Sequence, residues 1–159
     1  MTASLTSTAT GLLWFLDTLV SVRVAHDDGA DGISVLECHA SFGHSPPLHV
    51  HHSEDEVFEV LDGELRVRLG DDEIHLVAGD VRLAPKGLPH TFRVESDEGA
   101  RWRVTTTQGD FERFVRTVSR PATSAELPPP AGAPTPDQAV ELAAAALAHE
   151  IELLGPPLS

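Results

Sequence analysis

Between about residues 11 and 107 the chain is a succession of short apolar or alternating runs separated by turn signals. The runs cover residues 33–39, 57–61, 64–69, 73–77, 80–83 and 101–104. Leu65, Val67 and Leu69 alternate with Arg66 and Arg68, a period of two with one wet face, as a half-buried strand requires. Asp62-Gly63 is a two-residue hairpin signal, and Gly70-Asp71-Asp72 marks a second turn. Many short antiparallel strands at this spacing predict an all-β sandwich or barrel and argue against a βαβ fold.

After Thr107 the period changes. Phe111, Phe114, Val115 and Val118 recur at helical spacing, which predicts a helix over residues 109–120. Residues 121–136 are rich in Pro, Ala and Thr, and the consecutive prolines Pro128, Pro129 and Pro130 make this linker stiff. Thr135 then offers a helix cap, Pro136 suits the first helical position, and Gln138 completes a capping box. The helix is expected to run to Gly155, where Pro156 and Pro157 forbid continuation. Its stripe of Val140, Ala144, Leu147, Ile151 and Leu154 calls for a packing partner. The reading is a barrel over residues 11–107 and a C-terminal helical extension over residues 108–159, with the linker at 121–136. A length of 159 residues suits one domain and excludes two barrels.

Composition narrows the partners. The formal charge is -14, from 25 acidic residues against 11 Lys and Arg. Such a chain repels phosphate backbones, so nucleic acid is not an expected partner. No basic amphipathic stretch points to a membrane surface. Residues 1–10 lack the basic start of a signal peptide, and residues 11–24 contain Asp17 and Arg23 and are too short to span a bilayer. Cys38 is the sole cysteine, which rules out an intramolecular disulfide and reads as a small buried strand residue rather than a catalytic thiol. The default expectation is a cytoplasmic protein.

The chain has nine histidines and no tyrosine, and His44, His49, His51 and His52 crowd together. In a strand, His49 and His51 point to the same face and can take two neighbouring positions on one ion. On this spacing alone a pair of surface histidines is the commoner reading. Glu56 shares a face with Phe58 and Val60, so it is expected to point inward, where a carboxylate needs a cation or strong donors. Glu54, Asp55 and Glu59 are read as solvated. His90 shares a face with Phe92 and Val94 after the rigid turn Pro85-Lys86-Gly87-Leu88-Pro89. On its own it reads as a core histidine.

Together these residues resemble the two sequence motifs of the cupins. Gly43, five residues, His49, one residue, His51, four residues, Glu56, six residues and Gly63 match the first. Gly79, five residues, Pro85, one residue, Gly87, two residues and His90 match the second. The family closes the second motif with Asn where this chain has Val94, which removes a polar group but no ligand. The resemblance implies a jelly-roll β-barrel that holds one divalent transition metal through His49, His51, Glu56 and His90. Three imidazoles and a carboxylate suit Fe, Mn, Co, Ni, Cu or Zn, and not Ca. The resemblance also brings the expectation that two copies pair, since cupins often do.

No helix-turn-helix pattern precedes the barrel, so a cupin-type transcription regulator is not expected. The tail is similar to that of single-domain bacterial quercetinase-like cupins, whose extra helices end in a Gly-Pro-Pro segment, here Gly155-Pro156-Pro157. That similarity implies a metal-dependent dioxygenase acting on a flavonol or another enolic or phenolic small molecule, with Glu56 as the catalytic base. Phe58, Leu83, Phe92 and Trp102 are candidates to wall the pocket, His44 to line its mouth, and His39 to point inward behind the ligands. The alternatives are a non-redox cupin enzyme, such as a polyketide cyclase or isomerase, and a non-catalytic small-molecule binding protein.

Overall fold

A computed structural model describes residues 11–159, and the Thr- and Ser-rich residues 1–10 lie outside the described part. Two antiparallel sheets pack face to face. The first contains, in spatial order, β11 (Arg120–Pro121), β1 (Leu12–Phe15), β2 (Thr18–Val24), β3 (Ser34–Ala40), β10 (Ala100–Thr106), β5 (Glu56–Asp62) and β8 (Val81–Ala84). The second contains β12 (Ile151–Gly155), β4 (Leu48–His51), β9 (His90–Val94), β6 (Glu64–Leu69) and β7 (Asp72–Val77). Period-two alternation decides which side chains go inside. On β3, Ser34, Leu36, Cys38 and Ala40 are buried while the residues between them are partly exposed. Leu36, Cys38, Phe58, Val60, Trp102 and Val104 from one sheet meet Leu65, Val67, Phe92 and Val94 from the other. Leu83, by contrast, is exposed on the edge strand β8 and walls nothing.

The turn at Asp62-Gly63 is real, but it joins strands of different sheets rather than a hairpin. Gly63 has φ +82, and a Cβ there would lie 2.5 Å from the Gly99 carbonyl oxygen. Only glycine fits such a crossing. The second signal does close a hairpin, β6–β7, with Leu69 opposite Asp72 across Gly70-Asp71.

Helix α1 (Asp110–Val118) falls where the sequence spacing puts it. Helix α2 (Pro136–Leu147) begins with the expected capping box, Thr135 accepting from the Gln138 amide and Gln138 answering at the Thr135 amide. It ends seven residues before Leu154, by residue number. Glu150 turns the chain in the left-handed region at φ +61, and residues 151–155 form β12 against β4, placing Ile151 opposite His51 and Leu153 opposite His49. The unpaired edge of β4 outcompetes helix continuation, because strand pairing satisfies backbone groups on both partners. The expected stripe is therefore not the packed face: Val140, Ala144, Leu147 and Leu154 are exposed and only Ile151 of the five is buried, while Leu142, Ala145 and the buried Ala146 pack with Phe111, Phe114 and Ile151. Gly155 thus ends a strand and not a helix, Pro156 and Pro157 follow it, and Leu158 beyond them is buried. Among the described residues no helix is long and apolar enough to cross a membrane.

Candidate metal centre

The site forms where the chain twice crosses between the sheets. β4 brings His49 and His51 along the second sheet, residues 52–55 cross over, and Glu56 opens β5 in the first. The chain returns after β8 through residues 85–89, and His90 opens β9 directly opposite His49. The two crossings are tied together: the Gly87 amide donates to the His51 carbonyl at 2.8 Å, and the Lys86 amide to Asp55 Oδ1 at 2.9 Å.

One ligand atom from each of His49, His51, Glu56 and His90 lies within 4.8 Å of all the others. His51, Glu56 and His90 are buried, and His49 is half-buried, so solvent reaches the cluster from the His49 side. His49 Nδ1 donates to the Pro47 carbonyl at 2.7 Å, and His90 Nδ1 to the Leu88 carbonyl at 3.0 Å. Each bond uses the Nδ1 proton and turns Nε2 toward the cluster, the arrangement that fixes tautomer and ring direction in metal sites. Glu56 Oε2 lies 2.7 Å from His90 Nε2 and 3.2 Å from His51 Nε2. Both ring nitrogens of His51 are buried with no hydrogen-bond partner.

Electrostatics at the cluster call for a cation. Burial, with the imidazoles of His90 and His51 beside it, pulls His49 down to about 3, so its ring is neutral and able to ligate. Burial also pulls on His51, but Glu56 and Glu54 outweigh it and hold that ring up at about 9. Burial would raise Glu56, yet His51 and His90 keep it well below the usual carboxylate range. A divalent ion among these groups supplies the positive charge that a proton on His51 otherwise carries. The orphaned imidazole nitrogens, the locked tautomers and the three-nitrogen, one-oxygen donor set all fit a borderline transition metal.

The remaining histidines fall outside the cluster. His39 takes the outward-facing parity of β3, opposite to Cys38, so it does not back the ligands. His44 is seated against the barrel's aromatics, with its ring centroid 6.0 Å from Phe92 and 6.4 Å from Trp102 and its Nε2 3.3 Å from Thr18 Oγ1. His52 pairs with Glu152 on β12, and His75 with Glu64. Two surface clefts, of about 500 and 210 Å³, are lined by none of the four cluster residues.

Glu54, read from sequence as solvated, is only 1% exposed. Its carboxylate accepts from the amides of Gln108 at 3.2 Å and Phe111 at 2.6 Å and stands 3.7 Å from His51 Nδ1. Those amides lie 54 and 57 residues further along the chain, so nothing local marks Glu54 as buried.

Residues 36–106 match the family model described as a cupin domain. The chain is 34% identical over 87 residues to a quercetin 2,3-dioxygenase of Bacillus subtilis, an alignment that covers 55% of this chain and 26% of that protein. The chain thus spans about a quarter of that relative's length. Among solved structures it is similar to a polyketide cyclase of Streptomyces resistomycificus, at 25% identity and a TM-score of 0.51 over 62% of this chain and 68% of that one. It is also similar in fold to the KdgF protein of a Halomonas species, at 17% identity and a TM-score of 0.53 over 60% and 84% of the two chains.

Proposed function

Residues 36–106 are a cupin domain, and from that premise we propose that the protein is a metal-dependent enzyme, a dioxygenase acting on a flavonol or a similar enolic or phenolic small molecule. The observation that carries the metal reading is the convergence of His49, His51, Glu56 and His90 with two tautomers fixed by backbone carbonyls. The similarity to the Bacillus quercetin dioxygenase supports the choice of chemistry.

The four residues would hold one ion of Fe, Mn, Co, Ni, Cu or Zn. A bound transition metal would supply Lewis acidity toward a hydroxyl oxygen, and a redox-active one would relay electrons from the deprotonated substrate, the net reductant, to dioxygen. Glu56 receives the hydroxyl proton of the substrate. Both carboxylates of the site are buried, but Glu54 is engaged by two backbone amides, whereas the contacts of Glu56 are the ligand imidazoles themselves. Glu54 is thereby occupied, and Glu56 is the carboxylate to which we assign the substrate proton. Substrate approaches over His49, the half-buried member of an otherwise buried set. The aromatic core of Phe58, Phe92 and Trp102 gives the barrel an apolar interior behind the cluster.

The similarity to the polyketide cyclase favours a second reading, a cyclisation of a related polyphenolic or enolic chain without oxygen. Oxygen-electrode measurements on the metal-reconstituted protein separate the two. Oxygen uptake dependent on a flavonol or related enol, and on the metal, supports the dioxygenase. Conversion of substrate without oxygen uptake rejects it in favour of cyclisation. Ligand binding without any conversion rejects both enzymes.

A further inference from the structure

We infer that Glu54 is a positioning residue for His51 and that it couples metal binding to the docking of helix α1. The inference rests on the metal-binding reading above. Among the three imidazoles, His49 and His90 are oriented locally, each by the carbonyl of the residue two before it. His51 has no such carbonyl, and its Nδ1 is buried without a hydrogen-bond partner. The group that faces Nδ1 is the Glu54 carboxylate, at an ion-pair distance of 3.7 Å. A carboxylate in that place keeps the proton on Nδ1, presents Nε2 to the ion and raises its basicity.

Glu54 is itself held from far away. Helix α1 begins after Gly109, which has φ +78 and no side chain to cap the helix. A Cβ at Gly109 would lie 2.5 Å from the Cβ of His26, so a capping side chain is sterically excluded there. Glu54 supplies the cap from the crossing between sheets, accepting from the Gln108 and Phe111 amides on either side of that glycine. The Phe111 ring then stands edge-on to His51, with centroids 5.7 Å apart. One carboxylate thus touches the start of α1 and a metal ligand, and α1 carries the apolar cluster that seats α2 and β12. By linkage, whatever holds α1 in place strengthens metal binding, and bound metal strengthens α1.

Zinc alone, with cobalt(II) as the spectroscopic probe, tests this on the full chain. Glu54→Gln keeps the size but removes the charge and one of the two amide acceptors. It is expected to weaken zinc affinity by about 10–100-fold and to alter the cobalt(II) visible spectrum. In the wild-type protein, zinc is expected to slow hydrogen exchange at the Gln108 and Phe111 amides. A Glu54→Gln variant with wild-type zinc affinity and cobalt spectrum would reduce Glu54 to a helix cap, even if its Tm fell. Unchanged exchange at those two amides in zinc-loaded wild type overturns the coupling by itself, which decides the matter should the variant not fold. A wild-type protein that binds no zinc or cobalt removes the metal reading and this inference with it, whereas a binding wild type with an indifferent variant removes this inference alone.

Discussion

Glu56 has two jobs in this account, ligand and base, and a single substitution separates them. Glu56→Gln keeps the shape and a carbonyl oxygen for weak coordination but cannot take a proton. With His49, His51 and His90 intact, the variant is expected to retain much of its metal while turnover falls by about 10²–10⁴-fold, the usual contribution of a general base. Metal content and oxygen consumption measured on the same sample check this. Full metal with full consumption contradicts the base, and parallel loss of both makes Glu56 a ligand only. The four cluster residues were legible because strand parity places His49 with His51 and Glu56 with Phe58, and the cupin spacing adds His90. Glu54 was not legible. Its place one residue before Asp55 in a polar crossing looks solvated, and the amides that bury it belong to a helix start more than fifty residues away.

At the level of elements, β12 is the least expected and the most consequential. Residues 140–154 carry two patterns at once: Val140, Ala144, Leu147, Ile151 and Leu154 fit a helix, and Ile151 and Leu153 fit a strand. Long-range pairing decides between them, since the Glu150 carbonyl accepts from the His52 amide at 2.8 Å and β12 then covers the edge of the strand that bears His49 and His51. Similarly, the turn at Asp62-Gly63 was legible but its partners were not, because β6 pairs with β7 and β9 rather than with β5. Removing residues 149–159 strips β12 and the buried side chains of Ile151 and Leu158 from the sheet. Two such side chains contribute about 3 kcal/mol or more, which for a chain of this size corresponds to a fall in Tm on the order of 10 °C. Zinc affinity should fall with it, as β4 loses its neighbour. A truncated protein with unchanged melting and unchanged zinc binding would show that β12 supports neither the barrel nor the centre.

For the whole molecule, the acidic surface and the buried cluster act in the same direction. A formal charge of -14 favours the approach of divalent cations, and a set of three imidazoles with one carboxylate is a donor set that suits transition metals over calcium. Barrels of this kind host many reactions, so the fold restricts the chemistry without naming it, and the metal centre is the claim on which the rest depends. It is tested most directly by anomalous diffraction at the absorption edge of the added metal, in crystals of the reconstituted protein. The account predicts one strong anomalous peak between the two sheets, with His49, His51 and His90 ligating through Nε2 and Glu56 through a carboxylate oxygen. A peak bound by other residues, or none at that position in protein soaked in turn with Fe, Mn, Co, Ni, Cu and Zn, would contradict it.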